Sequence, residues 1–356
     1  MRHAVIMAGG SGTRLWPLSR RRRPKQLLRI FAGQSLLRHA FDRLAALLNP
    51  QQIYVITGRD HLAATAEELP EIPPGNLIGE PCARDTANAV GLAAHLLARK
   101  DPAGTMGVFT ADHVIRPVDA FVDTVRRGFE AAEQHGDALV TFGIKPTAPH
   151  TGYGYIRRGS KLGPGLHEVQ RFQEKPDLPT AEQYCRNGQY SWNSGMFAWR
   201  LPTIIDQFDR HQPEMAAVLR QVAADLHDQA KATHVLELFA SLPRISIDYA
   251  IMEKAERILT VEMHCHWIDV GAWTSLAEVF TADQAGNVHA ASNVMTVDAA
   301  GNIFVSESDH LLAAVGLRDV IIIHAQDATL VCRRQDAQRI KELVEQVQAD
   351  TGDRYM

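Results

Sequence analysis

The chain has 356 residues, of which 46% are hydrophobic and 22% charged, with a formal net charge of −4. That composition has ample material for a core and excludes a disordered or fibrous chain, and the mild acidity argues against nucleic acid as a partner. No signal peptide and no membrane-length apolar run occurs, so the expectation is a cytoplasmic protein away from the membrane. The cysteines Cys82, Cys185, Cys265 and Cys332 have no paired spacing and read as free thiols in a reducing compartment.

The apolar run His3-Ala4-Val5-Ile6-Met7 predicts a buried strand. Ala8, Gly9, Gly10, Ser11 and Gly12 follow, then Thr13 and Arg14, a basic run from Arg20 to Arg23, and Lys25. Glycines remove side chains from a tight turn, so backbone N–H groups can approach an anion closely. The cations in the same loop suggest a site for several phosphates. A P-loop is excluded because no Gly-Lys-Ser/Thr is present, and a dinucleotide fingerprint is disfavoured because Pro17 and Pro24 prevent helix immediately afterwards.

Strand and helix patterns then alternate. Ser35 caps a helix with Leu36, Leu37, Ala40, Phe41 and Leu44 on one face; residues 53–57 form a strand, and Asp60 opens a second helix. Residues 77–80 form a short strand, Asp85 caps a helix reaching residue 98, and strands at 106–110 and 138–142 flank a helix from about residue 119. The alternation predicts an α/β fold, a Rossmann-like, mostly parallel mixed sheet flanked by helices, with ligands at the carboxyl ends of the strands. At one such end lies Glu80, whose carboxylate can accept from both N1–H and the exocyclic amine of guanine; adenine offers no matching pair of donors. Arg84 either holds phosphate or pairs with Asp85. At another end lies Asp112, placed where a carboxylate can hold Mg²⁺, a hard cation.

From about residue 147 the pattern changes to strands and glycine-rich turns. Gly152 and Tyr153 sit in a glycine- and aromatic-rich turn segment. Glu174 and Asn193 offer hydrogen-bonding groups, and Lys175 a cation. Helices without evident chemistry fill 202–242, and residues 246–254 read as a capped helix. His264-Cys265-His266 is not a metal site if it lies in a strand, because alternate side chains face opposite ways. Asp269 stands at a strand end beside a glycine turn. Beyond residue 283 come closely spaced short strands at 294–297, 303–305, 311–315, 320–323 and 330–332, and a helix over 336–349. These predict a small β-rich domain, a partial β-helix, that mediates subunit contact. The expected division is 1–283 and 284–356.

The segment from Ala8 to Ser19 with Arg23-Pro24-Lys25-Gln26 resembles the signature of the sugar-1-phosphate nucleotidylyltransferases, in the form with Trp16 and Lys25-Gln26 that is similar to those acting on mannose 1-phosphate with GTP. The resemblance implies transfer of GMP from GTP to mannose 1-phosphate, giving GDP-mannose and pyrophosphate, with Mg²⁺ as cofactor and a homodimer as the assembly. It implies Arg14, Lys25 and Lys175 as catalytic residues and Asp112 and Asp269 as metal ligands. Ala8, Gly9, Gly10, Gly12, Thr13, Glu80, Arg84 and Thr86 would line the nucleotide, and Gly152, Tyr153, Glu174, Asn193 and Asp248 the sugar phosphate. Some relatives carry a further isomerase domain of cupin type after this point, and the expectation for the present sequence is the transferase activity only.

Three other readings have distinguishable consequences. A regulatory homologue that only binds sugar nucleotide has no need of the metal carboxylates. A glycosyltransferase usually carries Asp-x-Asp, whereas Asp112-His113-Val114 lacks it. A nucleotidylyltransferase for another sugar phosphate or nucleotide shares the machinery and differs only in the pockets.

Overall fold

The computed structural model describes residues 1–10, 12–31 and 33–356; Ser11 of the glycine motif lies outside the described residues. Alternating strands and helices open the chain: β1 (Arg2–Met7), α1 (Leu36–Ala45), β2 (Ile53–Gly58), α2 (Leu62–Glu68), β3 (Leu77–Glu80) and α3 (Thr86–Lys100). They are followed by β4 (Thr105–Thr110), β5 (His113–Arg116), α4 (Val118–Gln134) and β6 (Leu139–Ile144). The expected caps are present. Ser35 Oγ accepts from Arg38 N at 2.9 Å, and the Asp85 side chain accepts from Thr86 N at 2.7 Å.

The next stretch contains β7 (Tyr155–Gly163), β8 (Leu166–Gln173), α5 (Leu178–Asn187) and β9 (Tyr190–Arg200). Then come α6 (Leu201–His211), α7 (Pro213–Asp225), α8 (Ala232–Ser241), β10 (Ile258–Met263), β11 (His266–Asp269) and α9 (Leu276–Val279). The main sheet is nine-stranded, in the order β3-β2-β1-β4-β9-β6-β10-β8-β7. Its first four strands are mutually parallel, and so are β6 and β10; β9 is antiparallel to both β4 and β6. The long β9 also pairs with β7 through its first residues, so β9, β6, β10, β8 and β7 close on one another. Helices cover both faces. Phe109, Phe121, Phe129 and Phe142 fill one side, and Trp199, Phe208 and Phe239 the other, all buried. At roughly 25 cal/mol per Å² of apolar surface, these aromatic clusters are the main source of cohesion.

Two local expectations need correction. Residues 246–254 do not form an α-helix: a five-residue π-helix spans Asp248–Met252, although Ser246 caps it as expected, its Oγ accepting from Tyr249 N at 3.4 Å. His264 and Cys265 lie between β10 and β11, so the alternation argument does not apply to them. The four cysteines are free.

The last part comprises β12 (Val288–Ala290), β13 (Asn293–Val297), β14 (Ile303–Ser306), β15 (Leu311–Val315), β16 (Val320–His324), β17 (Thr329–Arg333) and α10 (Ile340–Thr351). Strands β12, β14 and β16 stack in parallel, as do β13 and β15, which is the geometry of β-helix coils. Buried Asn287 and Asn302 form a ladder inside the turns, with Asn302 Nδ2 donating to Asn287 Oδ1 at 3.0 Å. This region does not stand apart. Ile303, Ile321, Ile340 and Val344 share one buried cluster with Leu15, Trp16, Leu28 and Phe31 of the glycine-loop segment. Among the described residues no helix is long and apolar enough to cross a membrane.

Candidate active site

The glycine loop leaves β1 at its carboxyl end, and its first residue is an anchor. Ala8 N donates to Ile56 O at 2.8 Å, while Ala8 O accepts from Gln26 Nε2 at 2.7 Å and from Thr57 Oγ1 at 2.8 Å. With its backbone groups engaged and 1% exposure, Ala8 holds the loop and does not face a ligand, contrary to the sequence expectation. Gly12 is left-handed, φ 57°, and a Cβ there would stand 2.8 Å from Lys25 Cβ. Only glycine therefore lets the loop close down on Lys25.

Gly9, Gly10 and Thr13 line a cleft of about 390 Å³, with Glu80 and Ala83 on its far side. Burial, then the charge of Asp85, push the Glu80 carboxyl up to about 7. Arg84 is not in this cleft. Its guanidinium donates to Ala240 O on α8, because the turn before α3 directs the side chain toward the helical layer, and neither Asp85 nor a phosphate position is its partner. Thr86 also has a structural engagement: its Oγ1 accepts from Ile247 N at 2.9 Å, tying α3 to the π-helix segment.

Three arginines of the basic run are engaged by carboxylates, and two of them, Arg20 and Arg21, also line the cleft. Arg20 pairs with Asp327, Arg21 with Asp353 at 2.6 Å, and Arg23 with Glu307. All three carboxylates belong to the C-terminal region. Arg14 remains exposed, and its charge is close enough to oppose that of Lys25.

Asp112 follows β4 in the turn to β5. The β5–β11 ribbon is antiparallel with Asp269 opposite His113, and Val270 N donates to Asp112 O at 3.1 Å. That pairing is why two aspartates remote in sequence meet. Carboxylate atoms of Asp112 and Asp269 and a ring nitrogen of His113 lie within 4.8 Å of one another. Trp267 Nε1 donates to His113 Nδ1 at 3.0 Å, and burial lowers the His113 pKa. With Nδ1 engaged by Trp267, the two carboxylates are the charged donors of the group. Lys25 Nζ forms an ion pair with Asp112. Burial disfavours the Lys25 ammonium, yet Asp112 and Asp269 outweigh it and hold the pKa above the ordinary lysine value. An ammonium drawn onto two half-buried carboxylates marks the place as one that demands positive charge. Carboxylate oxygens beside a phosphate-sized loop suit a hard divalent ion.

Ring contacts lead from here toward Asn193: His113 to Trp267 at 4.9 Å, Trp267 to Tyr153 at 5.1 Å, and Tyr153 to Trp192 at 5.2 Å. Beyond Trp192 stands Asn193, fixed on both sides of its amide. Thr141 Oγ1 donates to Asn193 Oδ1 at 2.9 Å, and Asn193 Nδ2 donates to Asp248 Oδ1 at 2.9 Å. Burial and the adjacent Glu174 push Asp248 up to about 7. Glu174, raised by burial, pairs with Lys175 at 3.1 Å, and Lys175 is half exposed. Gly152, expected at the sugar phosphate, is exposed. Gly154 is the constrained position, since a Cβ there would overlap Glu174 Oε2 and stand 3.3 Å from Asn193 Cβ. Glu253, whose Oε1 accepts from Glu174 N at 2.9 Å, gave no sequence signal because its role is to hold a backbone amide.

Residues 3–286 match the family described as Nucleotidyl transferase, most of the chain. The chain belongs to the nucleotidyl transferase family. Residues 292–347 match the MannoseP isomerase/GMP-like beta-helix domain, in agreement with the parallel coils of β12 to β16. The chain is 40% identical over 348 residues to the Xanthan biosynthesis protein XanB of Xanthomonas campestris pv. campestris, covering 97% of this chain and 73% of the relative. It is 38% identical over 360 residues to a mannose-1-phosphate guanylyltransferase of Klebsiella pneumoniae, with 99% and 75% covered. A solved structure of a mannose-1-phosphate geranyltransferase from Thermus thermophilus is 36% identical and superposes with a TM-score of 0.87, covering 98% of this chain and 99% of that one.

Proposed function

We propose that this nucleotidyl transferase moves GMP from GTP onto mannose 1-phosphate, producing GDP-mannose and pyrophosphate. The observation that carries the reading is the meeting of Lys25, Asp112 and Asp269 beside the glycine-loop cleft, with the Glu174–Lys175–Asp248 group at the other end of the aromatic run. The mannose and GTP assignments rest on relatives such as the Klebsiella guanylyltransferase.

The attacking phosphate and the departing pyrophosphate are both already ionised, so no general base is required and the barrier is lowered by positioning and charge neutralisation. Lys25 and Arg14 stabilise the triphosphate and the pyrophosphate it releases. Lys175 holds the sugar phosphate toward the α-phosphorus. Glu174 and Asp248 accept from sugar hydroxyls, and Asn193 keeps Asp248 in place. Glu80 reads guanine. Transferases of this family generally take a divalent metal, and we assign Mg²⁺ to Asp112 and Asp269 on their hard oxygen donors. A divalent ion held by these two carboxylates would supply charge neutralisation for the phosphates.

We further assign residues 1–283 to catalysis and 284–356 to the β-helix domain, and place the protein in the cytoplasm as a homodimer without nucleic-acid partners. The dimer is supported by an uncharged row, Met295, Val297, Leu311 and Val315, exposed on the neighbouring strands β13 and β15. The test of function is pyrophosphate release from GTP with a panel of sugar 1-phosphates. Release confined to mannose 1-phosphate, or strongly favouring it, is expected; release without any sugar phosphate, or none with any of them, contradicts the reading.

A further inference from the structure

The cleft that holds the glycine loop and Glu80 has a second wall, and it comes from the far end of the chain. Val344 and Gln348 of α10 line it together with Gly10 and Thr13, and Val344 shares a buried cluster with Leu15 and Trp16 just after Thr13. The two are four residues apart, hence one turn apart on a single helix face. Ile340 and Val344 of that face are buried against the loop segment, which directs Gln348, half-buried, over the same cleft. The wall is held firmly. Trp16 Nε1 donates to Tyr355 O at 2.9 Å, Trp273 Nε1 donates to Trp16 O at 3.0 Å, and the three arginine–carboxylate pairs tie the loop to the C-terminal region.

We propose that α10 is part of the nucleotide site: Val344 gives apolar contact to the purine nucleoside, and the Gln348 amide bonds to its base edge or ribose. The C-terminal region then determines nucleotide affinity in the same subunit, and the arginine run serves as the latch that keeps this wall in place, leaving the phosphates to Lys25 and Arg14. A cleft of about 390 Å³ between two rigid walls lies in the usual range for small-molecule sites, roughly 300–1,000 Å³. An amide that can donate and accept, next to an aliphatic side chain, is the usual equipment for a base or a sugar hydroxyl. In this structure Gln348 Nε2 donates to Asp353 Oδ1 over a long 3.5 Å, and nucleotide binding exchanges that bond for one to the ligand. The inference rests on reading this cleft as the GTP site.

Two measurements test it. In Gln348→Cys, alkylation of the introduced thiol, followed by peptide-resolved mass spectrometry, should slow roughly tenfold with saturating GTP and Mg²⁺, while Lys341→Cys on the exposed side of α10 reacts at an unchanged rate. In Gln348→Trp, the dissociation constant for GTP by calorimetry should rise roughly tenfold, with the KM for mannose 1-phosphate at saturating GTP little changed. If Gln348→Trp does not fold, the alkylation result alone decides. Absence of protection at position 348 in a protein that does bind GTP overturns the inference and leaves the proposed function standing. A parent protein that binds no GTP overturns both.

Discussion

Glu80 makes a proposal about specificity measurable through pH. To accept from two guanine N–H groups its carboxyl must be ionised, yet in the free protein burial pushes it to about 7. GTP binding should therefore take up the cost of deprotonating Glu80 below neutrality. With a pKa of about 7, roughly a tenth of the sites are ionised at pH 6 and nearly all at pH 8, so the KM for GTP should rise about tenfold between pH 8 and pH 6. The terminal phosphate of GTP titrates in the same range. Glu80→Gln supplies the baseline, since it keeps the phosphate and removes the carboxyl. That variant leaves a donor facing a guanine donor, a loss of roughly 2–4 kcal/mol, or about 30- to 1,000-fold in kcat/KM for GTP, with ATP much less affected. The sign for stability is opposite. A carboxyl near 4.5 in the unfolded chain and about 7 in the fold destabilises the protein above pH 7, by up to roughly 3 kcal/mol, and that loss disappears as pH falls through 7 toward 4.5. Glu80→Gln should accordingly melt higher than wild type at pH 8 and about equally at pH 4.5. Equal losses for GTP and ATP, or a pH profile shared by wild type and variant, would refute the reasoning.

Other consequences can be checked in parallel. Lys25→Ala should cut turnover by orders of magnitude in a rate assay, and a turnover within severalfold of wild type would remove Lys25 from the phosphate site. The same substitution leaves Asp112 without its ammonium partner, so the apo protein should lose melting temperature and regain it on adding Mg²⁺. Asp112→Asn and Asp269→Asn should each abolish metal-dependent activity, because an amide keeps the shape and loses the charge; full activity at modest Mg²⁺ would contradict the metal assignment. Gly154→Ala should raise the KM for sugar phosphate much more than that for GTP, since the new methyl displaces Glu174. Val315→Glu should halve the mass seen by sedimentation equilibrium if the β13–β15 face joins two copies, and an unchanged mass would place the interface elsewhere.

What the sequence disclosed follows a physical line. Regular elements were legible because their signals are local: Ser35 and Asp85 cap the helices they precede, and closely spaced short strands broken at Gly301 and Gly316 mark the coils after residue 283. Asp112 and Asp269 were each visible as carboxylates at strand ends, and the β5–β11 register explains their meeting. The carboxylate partners of the basic run were not legible, because a loop's charge says nothing about its partner. Asp327, Asp353 and Glu307 lie roughly 300 residues away, and only the packing of the C-terminal region onto Trp16 brings them there. The engagements of Arg84 and Ala8 were hidden for a related reason. Each sits within a ligand motif, but one side chain turns to a helix carbonyl and the other backbone is consumed by Gln26, Thr57 and Ile56. Spacing cannot show how a hydrogen-bonding group is already occupied.

The central claim is substitution at the α-phosphorus of GTP by the phosphate of a sugar, assisted by charges at Lys25, Asp112 and Asp269. It is tested most directly by following isotopic phosphorus. With GTP labelled at the α position and mannose 1-phosphate present, the label should pass into GDP-mannose; labelled at the γ position, it should leave in pyrophosphate, and both transfers should vanish in Asp269→Asn. Label from the γ position appearing in inorganic phosphate or on the sugar, or α label remaining in free GMP or GDP, would contradict the account.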